Sequence, residues 1–334
     1  MTYTQMLLNR ASKQIGLACI ATLLSMSMAS SVVAQDYPAV THDTWSSGTP
    51  MPKAMIGAAA AVLGKRIYVV GGYSDWNGTG VLDTLVYNPA SNTWSKGVPL
   101  PEPIFNPSAA VVNNVLYVFG GVGGSTYLNT VWAYSPQTKT WSAKSPMPTE
   151  TQCSGAVVAK NNTIYVIGGD IDWTRLKNVD SYNPATDTWT EEAPLRIGRS
   201  CPTVGLIGTR IWAADGDTSH GFNGGDGPNG DIEGYNPSTN KWETGAPDPT
   251  PRDAACGGSI GSQLYVAGGY VGGSSILTVT ESFDGSDNTW TTLAPMPQGT
   301  MWAASAVYNG KLYCFGGAVG WAGTVLNNVQ IYQP

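Results

Sequence analysis

Arg66-Ile-Tyr-Val-Val-Gly-Gly72, followed by Tyr87-Asn-Pro-Ala-Ser-Asn-Thr-Trp94, is the stretch from which the fold can be read. The first segment is β-branched and aromatic, hence a strand. Its closing glycine pair permits backbone geometry, or a close approach, that a Cβ would block. The second segment is turn chemistry between two aromatics, with Pro fixing φ at the second turn position. Tyr87 and Trp94 then fall on adjacent antiparallel strands and pack between sheets. One unit therefore holds four short strands, at residues 58–63, 66–70, 82–87 and 93–96.

The unit repeats. Glycine pairs end apolar runs at Gly71-Gly72, Gly120-Gly121, Gly168-Gly169, Gly268-Gly269 and Gly316-Gly317, and Asp215-Gly216 takes the remaining slot. Behind them come Tyr87/Trp94, Tyr134/Trp141, Tyr182/Trp189, Tyr235/Trp242 and Phe283/Trp290, always seven residues apart. A period of about 50 residues points to a propeller. One such sheet cannot bury both its faces, and radial stacking supplies the core. Tyr332-Gln-Pro334 begins the turn but has no tryptophan after it, whereas Thr41-His-Asp-Thr-Trp45 has a tryptophan and no tyrosine before it. Setting Thr41 directly after Pro334 restores the spacing. The fold expected is an all-β, six-bladed propeller over residues 35–334, its last blade closed by the N-terminal strand.

The glycine doublet with spaced Tyr and Trp resembles the kelch repeat, over essentially all of residues 45–334. The resemblance implies the propeller superfamily that includes the catalytic domain of galactose oxidase and the bacterial sialic acid mutarotases. The fourth repeat departs from the pattern at Asp215 and in its longer following loop, where function rather than folding is expected to set the sequence. Radical copper chemistry of the oxidase kind needs imidazole ligands, and only His42 and His220 exist. There is no Gly-x-Ser-x-Gly elbow, and one usable histidine gives a Ser–His–Asp arrangement little support. The catalytic motif of the mutarotases finds no residue-by-residue match. No cofactor or metal is expected.

Residues 1–34 read as a secretory signal: Arg10 and Lys13 without an acid, an apolar run from Ile15 to Ala29, and small residues at Val32-Val33-Ala34. The expected location is secreted or periplasmic. Removing those two bases from 17 leaves 15 basic against 23 acidic residues, a net charge of −8 for residues 35–334. An acidic chain without a basic patch is a poor partner for nucleic acid or anionic lipid, and no apolar run long enough to span a bilayer remains. A monomer is expected. Cys153, Cys201, Cys256 and Cys314 contain no C-x-x-C pair. The first three fall at nearly equivalent places, each on an expected innermost strand. A Cys153–Cys201 bridge and buried unpaired thiols are both open readings, while Cys314 reads as core.

Loops between strands one–two and three–four are short (Gly64-Lys65, Asn113-Asn114, Asn240-Lys241) and share one face. The opposite face carries longer, richer loops, where binding is expected. On it fall Trp76, Trp173, Trp302, Trp321, Tyr270 and Phe105, either as sugar-stacking platforms or as loop packing. Aligning the repeats places Met55, Ile104, Gln152, Arg199, Arg252 and Thr300 at equivalent sites before each inner strand. Arg199 and Arg252 are expected to point toward the channel mouth, as salt-bridging groups or as a clamp for an anion or carboxylate. Asp215, Asp217 and the stretch to Glu233 read as a Gly-rich lid, its spacing failing the calcium-loop pattern. The function expected is a secreted module binding carbohydrate or protein through this face. The alternative is a sugar mutarotase in which Arg199 or Arg252 holds a substrate carboxylate and Asp215 or Asp217 exchanges the proton.

Overall fold

Tyr87 faces Trp94 across neighbouring antiparallel strands, and the same pairing recurs as Tyr134–Trp141, Tyr182–Trp189, Tyr235–Trp242, Phe283–Trp290 and Tyr332–Trp45. These pairs mark six four-stranded sheets in a computed structural model that describes residues 43–76, 79–218, 228, 230–272 and 276–334. The expected leader, His42, His220, Asn77 and most of the glycine-rich stretch after Asp217 lie outside the described residues. Blade 1 is typical, with strands Ala59–Leu63, Arg66–Val70, Thr84–Asn88 and Thr93–Lys96 running outward in order. In blade 6 the strand Thr44–Gly48 pairs antiparallel with Val329–Gln333, so the N-terminal strand completes the last sheet. No helix is present among the described residues.

Burial follows the radial plan. Second strands are covered on both faces, as in Ile164–Ile167, whereas outer strands such as Thr93–Lys96 are mostly exposed. Innermost strands alternate, and carry small residues such as Ala59-Ala60-Ala61 and Gly257-Gly258 where the six converge. The core is accordingly not central. It consists of six clusters, each wedged between consecutive blades.

Each tryptophan also has a polar task. Its Nε1 donates to a backbone carbonyl leading out of the preceding blade: Trp45 to Ala294, Trp94 to Thr49, Trp141 to Val98, Trp189 to Ser145, Trp242 to Ala193 and Trp290 to Ala246, at 2.7–3.1 Å. A buried indole N–H needs such an acceptor, and here the acceptor is always the neighbour's backbone. The turn before each tryptophan places a left-handed Asn or Asp in five of the blades, at Asn92, Asp187, Asn240, Asn288 and Asp43. Their side-chain oxygens accept N–H groups from the preceding blade's exit segment, for example Thr49 to Asn92 at 2.6 Å and Ala294 to Asp43 at 2.8 Å. Short amides and carboxylates tolerate that backbone conformation, so the turn residue doubles as a seam.

The cysteines differ from expectation. Cys256, on the innermost strand of blade 5, is bridged to Cys314 on the second strand of blade 6, with Cα atoms 5.9 Å apart. Cys314 is thus core and cross-link together. Cys153 and Cys201 are unpaired, and they precede rather than occupy their inner strands. The residue equivalent to them in blade 5 is Ala254, not Cys256: all three have φ near +50° at the same step of the repeat.

Candidate functional site

The approach to each innermost strand is a three-residue step, and its phase decides what faces the axis. The first residue's carbonyl accepts the N–H of the second doublet position. Those acceptors are Met55, Ile104, Thr151, Arg199, Arg252 and Thr300. Sequence alignment had placed Gln152 in this set; Thr151 occupies it. All six side chains are buried. The second residues, Ile56, Phe105, Gln152, Ser200, Asp253 and Met301, bridge to the strand-two exit. The third residues, Gly57, Asn106, Cys153, Cys201, Ala254 and Trp302, all take left-handed backbone. Five of the six N–H groups donate around this ring to the previous blade's carbonyl, at 2.7–3.0 Å. The ring constricts the channel, and a cavity of about 390 Å³ opens above it on the long-loop face.

The phase explains what became of the arginines. Arg199 and Arg252 are 0 % exposed and do not reach the mouth. Arg199 donates to the carbonyls of Asp215 and Asp231 and to Glu233 Oε1, at 2.9, 2.7 and 2.6 Å. Arg252 is paired with Glu281 and Asp248, and donates to the carbonyls of Thr250 and Val279. A buried guanidinium requires such partners, and having them it offers nothing to an outside anion. Asp215 is sealed beside them, its carboxyl raised well above the usual range by burial and by Asp248, against the pull of Arg252 and Arg199. The expected clamp is therefore closed from within by the chain's own glutamates.

Asp217, Trp173, Trp302 and Trp321 do line the cavity. The wall divides by chemistry. On one side Trp302 and Trp321 meet edge to face at 4.7 Å, with Tyr73 and Phe105 continuing the surface at 5.2 Å from each other. Trp76 stands behind, 6.1 Å from Trp302, its Nε1 fixed on the Gly323 carbonyl at 2.6 Å. It packs one loop to another rather than facing the cavity, and Tyr270 contacts Trp321 in the same supporting way.

The other side carries charges that the repeat pattern did not reveal. Two short hairpins, Asp170–Ile171 with Thr174–Arg175 and Val122–Gly123 with Thr126–Tyr127, grow from the strand-two exits of blades 3 and 2. The first brings Arg175 against Asp217, with Asp170 at 3.7 Å, and holds Trp173 over the guanidinium at 6.0 Å. Asp170 accepts hydrogen bonds from Ser200 Oγ at 2.6 Å and Gln152 Nε2 at 3.1 Å, and Gln152 in turn accepts from Asn106 at 3.1 Å. Burial still raises the Asp170 carboxyl above its ordinary value, outweighing these bonds. Asp253 completes the group. One of its oxygens is closed from solvent and accepts no hydrogen bond. Burial, then the charge of Asp217, pushes its carboxyl up to about 8, with Arg175 pulling the other way. At neutral pH the cavity thus holds a protonated Asp253 near an Arg175–Asp217 ion pair.

In the floor, Trp302 Nε1 lies 3.3 Å from Cys201 Sγ. The Cys153 thiol is raised well above its usual range by its hydrogen bond with Cys201, burial and nearby carboxylates. Among the described residues no three His, Cys, Asp or Glu side chains are grouped to hold a metal ion.

Doublet, indole latch and ring closure together define a kelch-repeat β-propeller. The chain belongs to the KLHDC2/KLHL20/DRC7 Kelch-repeats domain family, whose sequence model matches residues 30–212, and a Kelch motif matches again at residues 251–297. No curated protein sequence matches. Among solved structures, that of YjhT superposes with a TM-score of 0.70 at 18 % identity, covering 85 % of this chain and 96 % of the other, which is a likeness of fold.

Proposed function

We propose that this propeller is an exported carbohydrate-binding protein, and that the sugar lies in the mouth cavity between the aromatic and carboxylate halves. The observation that carries this reading is the split wall itself. Aromatic faces at Trp302, Trp321 and Tyr73 suit the C–H faces of a pyranose, while Asp170, Asp217, Gln152 and Asn106 opposite them suit its hydroxyls. A cavity of about 390 Å³ is in the range of small-ligand sites. Its concavity favours a sugar over a flat protein partner, and the acidic chain disfavours nucleic acid. The Cys256–Cys314 bridge supports export. The test is calorimetric titration with a panel of disaccharides, against Trp302→Ala: binding in the micromolar to millimolar range, lost in the variant, is the expected result. Absence of binding by every sugar refutes it.

A second reading is favoured by the protonated Asp253. In this reading Asp253 donates to a sugar ring oxygen while Asp217 accepts the anomeric hydroxyl proton, which breaks the C1–O5 bond and frees the aldehyde for reclosure as either anomer. NMR of a freshly dissolved single anomer tests it. Equilibration no faster than in buffer leaves binding alone.

A further inference from the structure

We infer that the sugar taken by this cavity carries a protonated amine, not a carboxylate. The inference rests on the carbohydrate-binding reading and specifies its ligand. Among the described residues, three carboxyl groups, Asp170, Asp217 and Asp253, line the cavity against one cation, Arg175. That cation is already taken. Its side chain is 6 % exposed, its two terminal nitrogens are paired with Asp170 and Asp217, and its Nε is buried. Among the described residues, Arg199 and Arg252 nearby are sealed inside the blades and ion-paired there with Glu233 and Glu281. A carboxylated sugar would lose its hydration here and meet like charge.

An ammonium group meets the opposite conditions. Asp253 lines the cavity with a buried oxygen that no protein donor reaches, and such an orphan calls for a partner. An ammonium brings three donors and a positive charge that draws Asp253 into its ionised form, its proton passing to solvent as the ligand binds. The groups facing Asp253 are Asp217, Arg175, and in the floor Cys153, so the nearest charges sum to none in favour of its ionised form. The aromatic wall adds to this. Trp302 and Trp321 line the same cavity as the carboxylates, and an indole face attracts a cation as well as a sugar C–H surface. A neutral sugar would satisfy the hydroxyl-binding groups but leave the charge imbalance standing.

The test compares four disaccharides at pH 7 by calorimetry: β1,4-linked glucosamine dimer, its N-acetylated counterpart, cellobiose and a galacturonic acid dimer. The glucosamine dimer is expected to bind roughly tenfold tighter than the two neutral sugars, with the uronate weakest. Asp253→Asn is expected to abolish that preference, so that the amine and neutral sugars bind the variant within about threefold of one another. Equal binding of amine and neutral sugars, or a preference for the uronate, overturns the inference and leaves carbohydrate binding intact. Silence from all four sugars removes both.

Discussion

Trp45 and Tyr332 stand directly opposite one another on neighbouring strands, ring centroids 5.2 Å apart, though they come from the two ends of the described chain. The pair repeats in geometry what every other blade achieves with residues seven apart. The Trp45 indole also donates to the Ala294 carbonyl of blade 5, so one side chain joins the closing strand, the last blade and its neighbour. Trp45→Ala is expected to cost about 2–4 kcal/mol in urea unfolding, combining lost packing and a lost hydrogen bond. A loss below about 0.5 kcal/mol would mean that the closing strand contributes little.

Arg252→Ala is expected to destabilise by about 3–5 kcal/mol, because Glu281 and Asp248 are left buried without their cation. Burial already raises the Glu281 carboxyl to about 7. Removing the arginine raises it further, so the folded state then holds a proton that the unfolded state releases, and stability falls as pH rises. Unfolding of the variant should therefore show a larger deficit at pH 8 than at pH 5. Sugar affinity of the folded variant should be unchanged, which separates a structural arginine from a ligand clamp.

Asp253→Asn should gain stability at high pH. With the folded carboxyl at about 8 and the unfolded one near the ordinary value, the native state binds the extra proton between those limits. Wild-type stability accordingly declines as pH rises through that window and levels off above it. The amide lacks the titration, so its advantage should be on the order of 5 kcal/mol at pH 9 and vanish toward pH 4. Thermal melts across that range measure it, and a pH-independent difference would contradict the assignment.

Denatured without reductant, residues 35–334 should present two thiols, Cys153 and Cys201, to a thiol reagent. Four would mean that the bridge between blades 5 and 6 is absent, and none that the floor cysteines are also joined. Cys256→Ser with Cys314→Ser is expected to cost about 2–4 kcal/mol.

The ring was legible in the sequence because its signals are local and periodic. Tyr87 with Trp94, or Gly71 with Gly72, is a short-range pattern that any one blade displays, and Trp45 betrayed the closure by lacking its partner. The site was less legible because it depends on phase. Taking Gln152 for Thr151 is a one-residue slip, and one residue separates the buried Arg252 from Asp253 in the cavity. The position after each alignment residue, where polar Gln152, Ser200 and Asp253 cluster, was the available signal. Arg175 had none: it sits on a short hairpin that, among the described residues, is paired as strands again at Val122–Gly123 with Thr126–Tyr127 and elsewhere is reduced to single bridges. The Cys256–Cys314 link was hidden because it joins two different strand positions of blades 5 and 6 and recurs at no other seam among the described residues.

The indole bonds to the preceding blade have a consequence for how this molecule fails. A stack of repeats in a row loosens first at its outermost members, where half the contacts are missing. Here the latch of Trp45 on Ala294 gives blade 6 the same two neighbours as all the rest. There is no outermost member at which fraying can begin, so damage at any seam must be borne by the whole circle before a single sheet can leave it.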